Sequence, residues 1–145
     1  MRAVIQRVSQ GQVRVDNKVL ASIGMGLVIL LGIENEDTHE KADQLSRKIA
    51  ALRIFSDPEG KMNLSVRDIQ GGAIVVSQFT LMADTQKGNR PSFFKAAPPE
   101  IASPLVDYFI AALEKEGVPT QSGEFAAHML VEIHNNGPVT ILLEA

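Results

Sequence analysis

Cysteine and tryptophan are absent from the 145-residue sequence, and histidine occurs only three times. Without cysteine the chain forms no disulfide, gives a metal no thiolate ligand and has no cysteine nucleophile. Long apolar runs are also missing: none approaches the ~18 residues of a membrane-spanning helix, and the N-terminal residues lack the apolar stretch of a signal peptide. We therefore expect a soluble protein of the cytoplasm that makes no use of a membrane.

The charge balance is slightly acidic, with a formal net charge of −3 at pH 7. A protein that holds a long nucleic acid by its phosphates is usually basic, because each phosphate contact needs a lysine or arginine. Any nucleic-acid partner should therefore contact a small area of this protein or a local basic patch.

Familiar catalytic motifs are missing as well. The sequence has no G-x-S-x-G nucleophile elbow, no H-E-x-x-H motif and no glycine-rich phosphate loop. His128 and His134 lie in a stretch that alternates apolar and polar residues, so both would face one side of a strand and would need a third ligand to bind a metal. The sequence therefore predicts no metal and no other cofactor.

Apolar runs and turn residues predict the strands of a sheet. Residues 27–33 and 73–76 are apolar without alternation, as expected for strands buried on both faces. Asp16 and Asn17 separate two valine-containing stretches and predict a tight hairpin turn. A last strand is interrupted by the segment 135–138.

Two long helices are predicted beside these strands. The first covers about residues 38–52, and the second begins with Ser103 as N-cap and Pro104 at its first position. A start near Pro99 would instead place Pro104 inside the helix. The expected architecture is a single α+β domain over residues 1–145, with a curved, largely antiparallel or mixed, barrel-like sheet packed by the two helices.

The segment 77–81, which reads SQFTL, follows the buried strand 73–76 and is a candidate for chemistry. Ser77, Gln78 and Thr80 offer hydroxyl and amide groups, and the backbone N–H groups there can face a reacting carbonyl. Sites tend to lie where strands open into loops. The alternative interpretation is a strand end whose polar side chains only cap backbone groups.

The segment 135–140, which reads NNGPVT, is open to two interpretations. Asn136 and Gly137 between two strands predict a type I′ hairpin turn. Pro138, however, lacks the N–H group that a ladder bond needs, and a Gly-Pro peptide bond can be cis at a cost of only ~0.5–1 kcal/mol. A turn of this second kind presents two carbonyl groups side by side instead of closing a hairpin.

Along nearly its whole length the chain resembles the D-aminoacyl-tRNA deacylase family, of the D-tyrosyl-tRNA deacylase type. The matching motifs are, in order, QRV at 6–8, RIFSD at 53–57, GKMNL at 60–64, SQFTL at 77–81, RPSF at 90–93, DYF at 107–109, FAA at 125–127 and NNGPVT at 135–140. Their joint order and spacing are specific, although each motif alone is weak. Two departures are His128, where the family often has a short acidic or other residue, and Asn136, where it often has aspartate.

The resemblance implies hydrolysis of the ester that links a D-amino acid to the 3′ end of tRNA, with glycyl-tRNA as a further substrate. It implies a homodimer in which the turn at Gly137 and Pro138, with a cis peptide bond, enters the other subunit's pocket and rejects L-amino acids. Arg7 matches the family arginine that supports this turn, and Phe125 and Asn135 lie in matching motifs as supporting residues.

Two mechanisms remain open for the segment 77–81. In the first, the backbone N–H groups of Phe79 and Thr80 stabilise the oxyanion while the 2′-hydroxyl of the tRNA assists water. In the second, Thr80 is a covalent nucleophile, which needs a base that is not evident nearby. Two other functions also remain open: a non-catalytic dimer that binds small ligands or RNA ends, and a general esterase or amidase that uses Thr80.

Basic and aromatic residues follow this segment. Lys87, Arg90 and Lys95 lie close in sequence to Phe93 and Phe94, and they are candidates to contact the terminal phosphates and last base of the tRNA. The alternative is a solvated loop whose two phenylalanines are buried in the core.

Overall fold

The structure is a computed structural model that describes all residues from 1 to 145. The strands are β1 Arg2–Val15, β2 Lys18–Ile23, β3 Gly26–Gly32, β4 Phe55–Ser56, β5 Met62–Leu64, β6 Gly72–Ser77, β7 Thr120–Ser122 and β8 Leu130–Glu144. The helices are α1 His39–Ala50 and α2 Pro99–Lys115, and a 3₁₀ turn covers Phe79–Met82. Strands β4 and β5 form a separate small hairpin.

The main sheet curls because β1 is long enough to pair with three strands. One edge of β1 pairs with β8, and the other edge pairs with β3 and then with β2, all antiparallel. Strands β3, β6 and β7 continue the sheet in parallel. The expected α+β architecture, with a mixed, barrel-like sheet and two long helices, is confirmed.

A side chain closes the curl between β2 and β7, which do not pair. The amide nitrogen of Gln121 donates to the carbonyl oxygen of Ser22 at 2.9 Å, and the amide oxygen accepts from the Ser22 N–H at 2.9 Å. The glutamine amide thus takes the place of a backbone neighbour and satisfies both polar groups of Ser22.

Apolar side chains cover both faces of the sheet. The helices pack on one face, where Leu27 and Phe109 are fully buried. The other face lies inside the curl and holds a smaller cluster around Ile74 and Val76. Strands β3 and β6 contribute to both clusters, which confirms that their unbroken apolar runs mark strands buried on both faces.

The predicted hairpin joins β1 to β2. Asp16 and Asn17 have φ angles of 47° and 63°, the backbone of a type I′ turn. Val15 pairs with Lys18, so the loop contains only these two residues. The prediction from the asparagine and aspartate is confirmed.

Helix α1 begins where the sequence predicts. The Oγ1 atom of Thr38, the N-cap, accepts a hydrogen bond from the Lys41 N–H at 3.4 Å. The helix ends at Ala50, two residues before the predicted end. Neither α1 nor α2 has the length and apolarity needed to cross a membrane.

The predicted start of α2 is wrong. The helix begins at Pro99, and the Pro98 carbonyl accepts from the Ala102 N–H at 2.9 Å. The added first turn buries Ala102 in the core, which favours the earlier start. Pro104 therefore lies inside the helix, where its missing N–H leaves the carbonyl of Glu100 without its usual donor; Glu100 is exposed, so water can take that place.

Candidate active site

A cavity of about 600 Å³ opens where β6 ends. Its walls come from the end of β6, the 3₁₀ turn, the loop 93–97, the start of α2 and residues 125–131. Most of the lining is apolar, no lysine, arginine, aspartate or glutamate lines it, and His128 is its one titratable side chain. A largely apolar cavity with a few convergent polar groups is typical of a site for a small organic group.

The segment 77–81 forms one wall of this cavity. Ser77, Gln78 and Phe79 line it directly, while Thr80 is exposed on the 3₁₀ turn beside it. The Gln78 N–H donates to the Leu31 carbonyl at 2.8 Å and extends the parallel pairing with β3 by one bond. The segment is therefore positioned by the buried centre of the sheet.

Two backbone amides at the start of the 3₁₀ turn have no acceptor within it. The hydrogen bonds of the turn run from the N–H groups of Leu81 and Ala83 to the carbonyls of Gln78 and Thr80. The N–H groups of Phe79 and Thr80 precede the first bonded amide, as at any helix start. They are thus available to an acceptor outside the turn.

The side chain of Thr80 is already engaged. Its Oγ1 atom accepts a hydrogen bond from the side-chain amide nitrogen of Gln78. No carboxylate lines the cavity, and the one histidine that does is not hydrogen-bonded to Thr80. A hydroxyl in this setting lacks the neighbouring base that an attacking threonine needs.

The predicted interruption of the last strand at residues 135–138 is wrong: β8 is continuous, and residues 136–139 form a bulge within it. Asn135 pairs with Val8 and Thr140 pairs with Gln6, so four residues of β8 stand opposite the single residue Arg7. The strand continues because its pairing with β1 resumes on both sides. Inside the bulge no ladder bond is required, which is why a proline is tolerated there.

Within the bulge, Gly137 and Pro138 form a defined turn. The Gly137-Pro138 peptide bond is cis, and Gly137 has a φ of 132° that favours glycine. The Nε atom of Arg7 donates to the Asn136 carbonyl at 2.8 Å, and its Nη1 atom donates to the Ile54 carbonyl at 2.6 Å. One guanidinium therefore ties the turn to the residue before the β4–β5 hairpin.

The turn and the cavity are not brought together within one chain. Gly137 and Pro138 are exposed, and neither lines the cavity of the same chain. Their neighbours on the sheet are polar: the Thr140 hydroxyl donates to the Gln6 side-chain oxygen at 2.6 Å. Of the two supporting residues predicted, Phe125 lines the cavity, whereas Asn135 pairs with β1 beside the bulge.

Lys87, Arg90 and Lys95 are exposed and take part in no salt bridge of the chain. Phe93 lines the cavity and contacts the ring of Phe79 edge-on, with 5.0 Å between centroids. Phe94 is 70% exposed. The alternative in which both phenylalanines are buried in the core is therefore wrong for Phe94.

Sequence reasoning missed two parts of the site. Residues 125–129 and 131 form a wall of the cavity about fifty residues from the segment 77–81 in the chain, and the FAA motif at 125–127 matched the family without indicating this wall. The Ile54 carbonyl that accepts from Arg7 is a backbone group, and no side-chain pattern marks it. No group of three or more metal-ligating side chains forms in the structure.

Comparison with known proteins identifies the family. The model of the family described as D-Tyr-tRNA(Tyr) deacylase matches residues 4–144. The chain belongs to the D-aminoacyl-tRNA deacylase family. A D-aminoacyl-tRNA deacylase of Chloroflexus aurantiacus is 57% identical over 100% of this chain and 91% of the relative. Another, from Pasteurella multocida, is 54% identical over 99% of both chains.

Solved structures agree with the family fold. The deacylase chain superposes on a structure titled c-Myc DNA Unwinding Element Binding Protein with a TM-score of 0.93 and 42% identity, over 100% of this chain and 99% of that one. A probable eukaryotic D-amino acid tRNA deacylase gives a TM-score of 0.82 at 19% identity, over 98% and 97% of the chains, which shows the shared fold.

The family resemblance drawn from the motifs is therefore confirmed, and so is the enzyme class. The protein is a hydrolase that acts on ester bonds, and hydrolysis of D-aminoacyl-tRNA is the activity that gives its family its name. Its substrate class is aminoacyl-tRNA.

Proposed function

We propose that this deacylase stabilises the reacting ester with the backbone N–H groups of Phe79 and Thr80. The observation that carries this proposal is that both amides lack an acceptor in their own turn, at the edge of a largely apolar cavity. A donor aimed at a developing oxyanion contributes ~3–4 kcal/mol to transition-state stabilisation in test cases. An activated aminoacyl ester needs little more, and the 2′-hydroxyl of the terminal ribose can assist the attacking water.

The turn of the bulge is the proposed chirality filter. The carbonyls of Gly137 and Pro138 would hold the substrate ammonium group, and the backbone beside them would clash with the side chain of an L-amino acid. Each ~1.4 kcal/mol of clash gives tenfold selectivity. Because main-chain atoms make this contact, the filter should accept many D-amino acids, and glycyl-tRNA as well, since glycine has no side chain to exclude.

We infer that a second copy of the chain supplies this turn; the inference is supported by the fact that the turn does not line the cavity of its own chain. A row of apolar residues crosses four strands of the sheet between the turn and the cavity. Leu142 pairs with Val4, Val4 pairs with Leu30, and Leu30 pairs with Val76, which lines the cavity. Leu142 is 59% exposed. In a two-fold homodimer built on this row, each copy gives its turn to the other and receives the other's turn.

The 3′ end of the tRNA is proposed to lie along the loop after the 3₁₀ turn. Lys87, Arg90 and Lys95 have no carboxylate partner in the chain, and the exposed ring of Phe94 offers a face for a terminal base. This small basic patch fits a protein whose net charge is −3. We also infer that residues 1–145 act as one deacylase unit in the cytoplasm, where aminoacyl-tRNA is used.

The catalytic proposal is tested with Thr80→Ala and Thr80→Ser on D-tyrosyl-tRNA and L-tyrosyl-tRNA. If backbone amides act, Thr80→Ala keeps turnover of the D substrate within about tenfold of wild type. Loss of turnover in Thr80→Ala with intact binding, recovered in Thr80→Ser, would establish the nucleophile instead. Comparable turnover of the two enantiomers by wild type would contradict the filter, and binding without any turnover would favour a non-catalytic RNA-end protein.

The dimer is tested by placing a charge in the apolar row. Leu142→Glu should give a monomer in sedimentation and should lose turnover of D-tyrosyl-tRNA, because each cavity then lacks its turn. Leu130→Glu is the matched control: Leu130 is also on β8 and 62% exposed, but it is not part of the row. A monomeric wild type with full activity would exclude the shared site.

The basic patch is tested by salt dependence. Lys87→Ala with Arg90→Ala should weaken tRNA binding and reduce the slope of log affinity against log salt by roughly one to two. Arg47→Ala with Lys48→Ala, an equal loss of exposed charge on α1, should leave the slope unchanged. An unchanged slope in the first variant would remove the patch from the binding site.

A further inference from the structure

His128 differs from every other residue around the cavity. It is the one titratable side chain in the lining, and it is exposed to solvent, so it lies at the mouth of the cavity and not at its floor. It takes part in no salt bridge of the chain. The next residue, Met129, packs against the cluster inside the curl and anchors the backbone beside it.

No charged residue lines the cavity beside this histidine. Charged residues adjoin the walls without lining the cavity: Glu34 after β3, Lys95 on the loop, Glu100 on α2, Glu124 before the turn 125–127, and Glu132 on β8. Glu132 is paired with Arg14 at 2.9 Å, and Glu124 lines a separate small cavity. No charged residue of β6 or of the 3₁₀ turn faces it, because those segments contain none.

We propose that His128 binds an anionic oxygen group of the substrate at the cavity mouth. This inference deepens the proposed function and rests on it, because it takes the cavity to be the substrate site. Histidine changes its charge between about pH 5 and pH 8 and donates hydrogen bonds in both states. The anionic group is either the side-chain carboxylate of an acidic D-amino acid or the phosphodiester next to the terminal adenosine.

The expected effect is modest, because the contact is exposed to solvent. An ion pair of this kind should change affinity by roughly twofold to fivefold. The contact with His128 should therefore shift the preference of the enzyme among substrates without deciding whether it works. The turn 136–139, made of main-chain groups, selects by chirality, whereas His128 selects by charge.

The experiment measures binding of ligands that cannot be hydrolysed, so its result does not depend on catalysis. The ligands are amide-linked D-aspartyl-aminoadenosine, the D-asparaginyl analogue of the same size, and the D-asparaginyl analogue carrying a 5′-linked cytidine through a phosphodiester. Calorimetry gives dissociation constants at about pH 6 and about pH 8, where histidine differs in charge. The proteins are wild type, His128→Gln, and His134→Gln as the matched control on β8, since His134 does not line the cavity.

If the carboxylate is the ligand, wild type and His134→Gln should prefer the aspartyl over the asparaginyl compound by roughly twofold to fivefold more at the lower pH, and His128→Gln should lose this change. If the phosphodiester is the ligand, wild type and His134→Gln should prefer the cytidine-extended compound over the plain asparaginyl analogue more strongly at the lower pH, and His128→Gln should lose this change. The aspartyl compound should then show no such change. Identical pH dependence in wild type and His128→Gln for all three ligands would overturn the inference, as would failure of all three to bind wild type. Binding with this pattern but no ester turnover would leave His128 in place and overturn the catalytic proposal.

Discussion

The segments 77–81 and 136–139 both present backbone groups at a turn, and they are held in place by different means. The first continues β6, which is buried on both faces and paired in parallel with β3 and β7. The second leaves the ladder of an edge strand, is largely exposed, and is tied to the rest of the chain by Arg7. The first position therefore depends on the whole core, and the second depends on the flanking pairs with β1 and on one guanidinium.

This difference predicts where the enzyme tolerates amino-acid substitutions. A perturbation near β6 should act first on folding, because the turn cannot move unless the sheet moves with it. A perturbation near the bulge should act first on substrate selection, because the sheet is already paired on both sides of it. Glycine-to-alanine substitutions test the contrast, since the same methyl group is added in both regions.

The largest effect on stability is expected from Gly26→Ala. Gly26 and Gly72 are paired where β3 and β6 begin. A Cβ atom on Gly26 would lie 2.0 Å from the Gly72 carbonyl oxygen, so the two strands would have to separate. The free energy of unfolding, measured in urea, should fall by about 3 kcal/mol or more. Gly24→Ala, where nothing lies within 4 Å, should change it by less than about 0.5 kcal/mol. Equal stability of the two variants would contradict the close packing of this pair.

The second prediction concerns Gly137→Ala in the bulge. Its Cβ atom would lie 2.9 Å from Nη2 of Arg7, at a φ of 132°. Stability should fall by about 1–2 kcal/mol, while turnover of D-aminoacyl-tRNA should fall at least about tenfold.

Gly60→Ala is the control for that prediction, because Gly60 also has a positive φ, of 81°, but has nothing within 4 Å. It should lose a similar amount of stability and keep full turnover. If Gly137→Ala also kept full turnover and its preference for the D substrate, the turn would not be the filter.

A gain in stability is expected from Ala126→Gly in the cavity wall. Ala126 has a φ of 61°, which costs an L-residue about 1–2 kcal/mol, whereas a glycine loses about 0.4–1 kcal/mol through the entropy of the unfolded chain. The net gain should be about 0.5–1 kcal/mol in urea unfolding. Ala127→Gly, at a neighbouring residue without a positive φ, should lose stability; a loss in both variants would show that the wall is not strained at Ala126.

The smallest effect is a pH dependence of the hairpin next to Ile54. The side-chain amide of Asn63, and then the backbone N–H of Lys61, donate to Asp57 and lower its pKa below the ordinary value of 3.8. A lowered pKa gives stability that is present above the ordinary value and is lost as the pH falls through the folded value. The Tm of wild type should therefore fall more than that of Asp57→Asn between about pH 5 and about pH 3. Asp107→Asn, an exposed aspartate, should behave as wild type; parallel curves for wild type and Asp57→Asn would contradict the role of Asp57.

Local sequence patterns predicted the features that local forces decide. The apolar runs of β3 and β6, the hairpin at Asp16 and Asn17 and the N-cap at Thr38 all depend on neighbours in the chain. The predicted start of α2 is wrong because Ser103 and Pro104 offer a stronger local start signal than Pro98 and Pro99: both pairs place a proline at the first helical position, but only Ser103 is a preferred N-cap residue. What decides between them is burial of Ala102, a tertiary contact.

The bulge and the cavity depend on long-range contacts. The sequence NNGPVT marks a turn, but the continuity of β8 through it comes from pairing with β1, more than a hundred residues away. The two acceptors of Arg7, the carbonyls of Ile54 and Asn136, are main-chain atoms that no residue type reveals. The family motifs pointed to these segments, whereas the geometry that relates them required the structure.

The backbone amides at the start of the 3₁₀ turn affect which substitutions this enzyme can accumulate during evolution. A side-chain catalyst is lost through almost any missense change in its codon, but a backbone N–H is carried by every residue except proline. If the proposed mechanism holds, the side chain at position 80 can therefore vary while the backbone donor at that position persists. Selection for the proposed activity would then act mainly on the glycines and apolar residues that fix the backbone. It would act only weakly on the side chains of the residues whose amides are the donors.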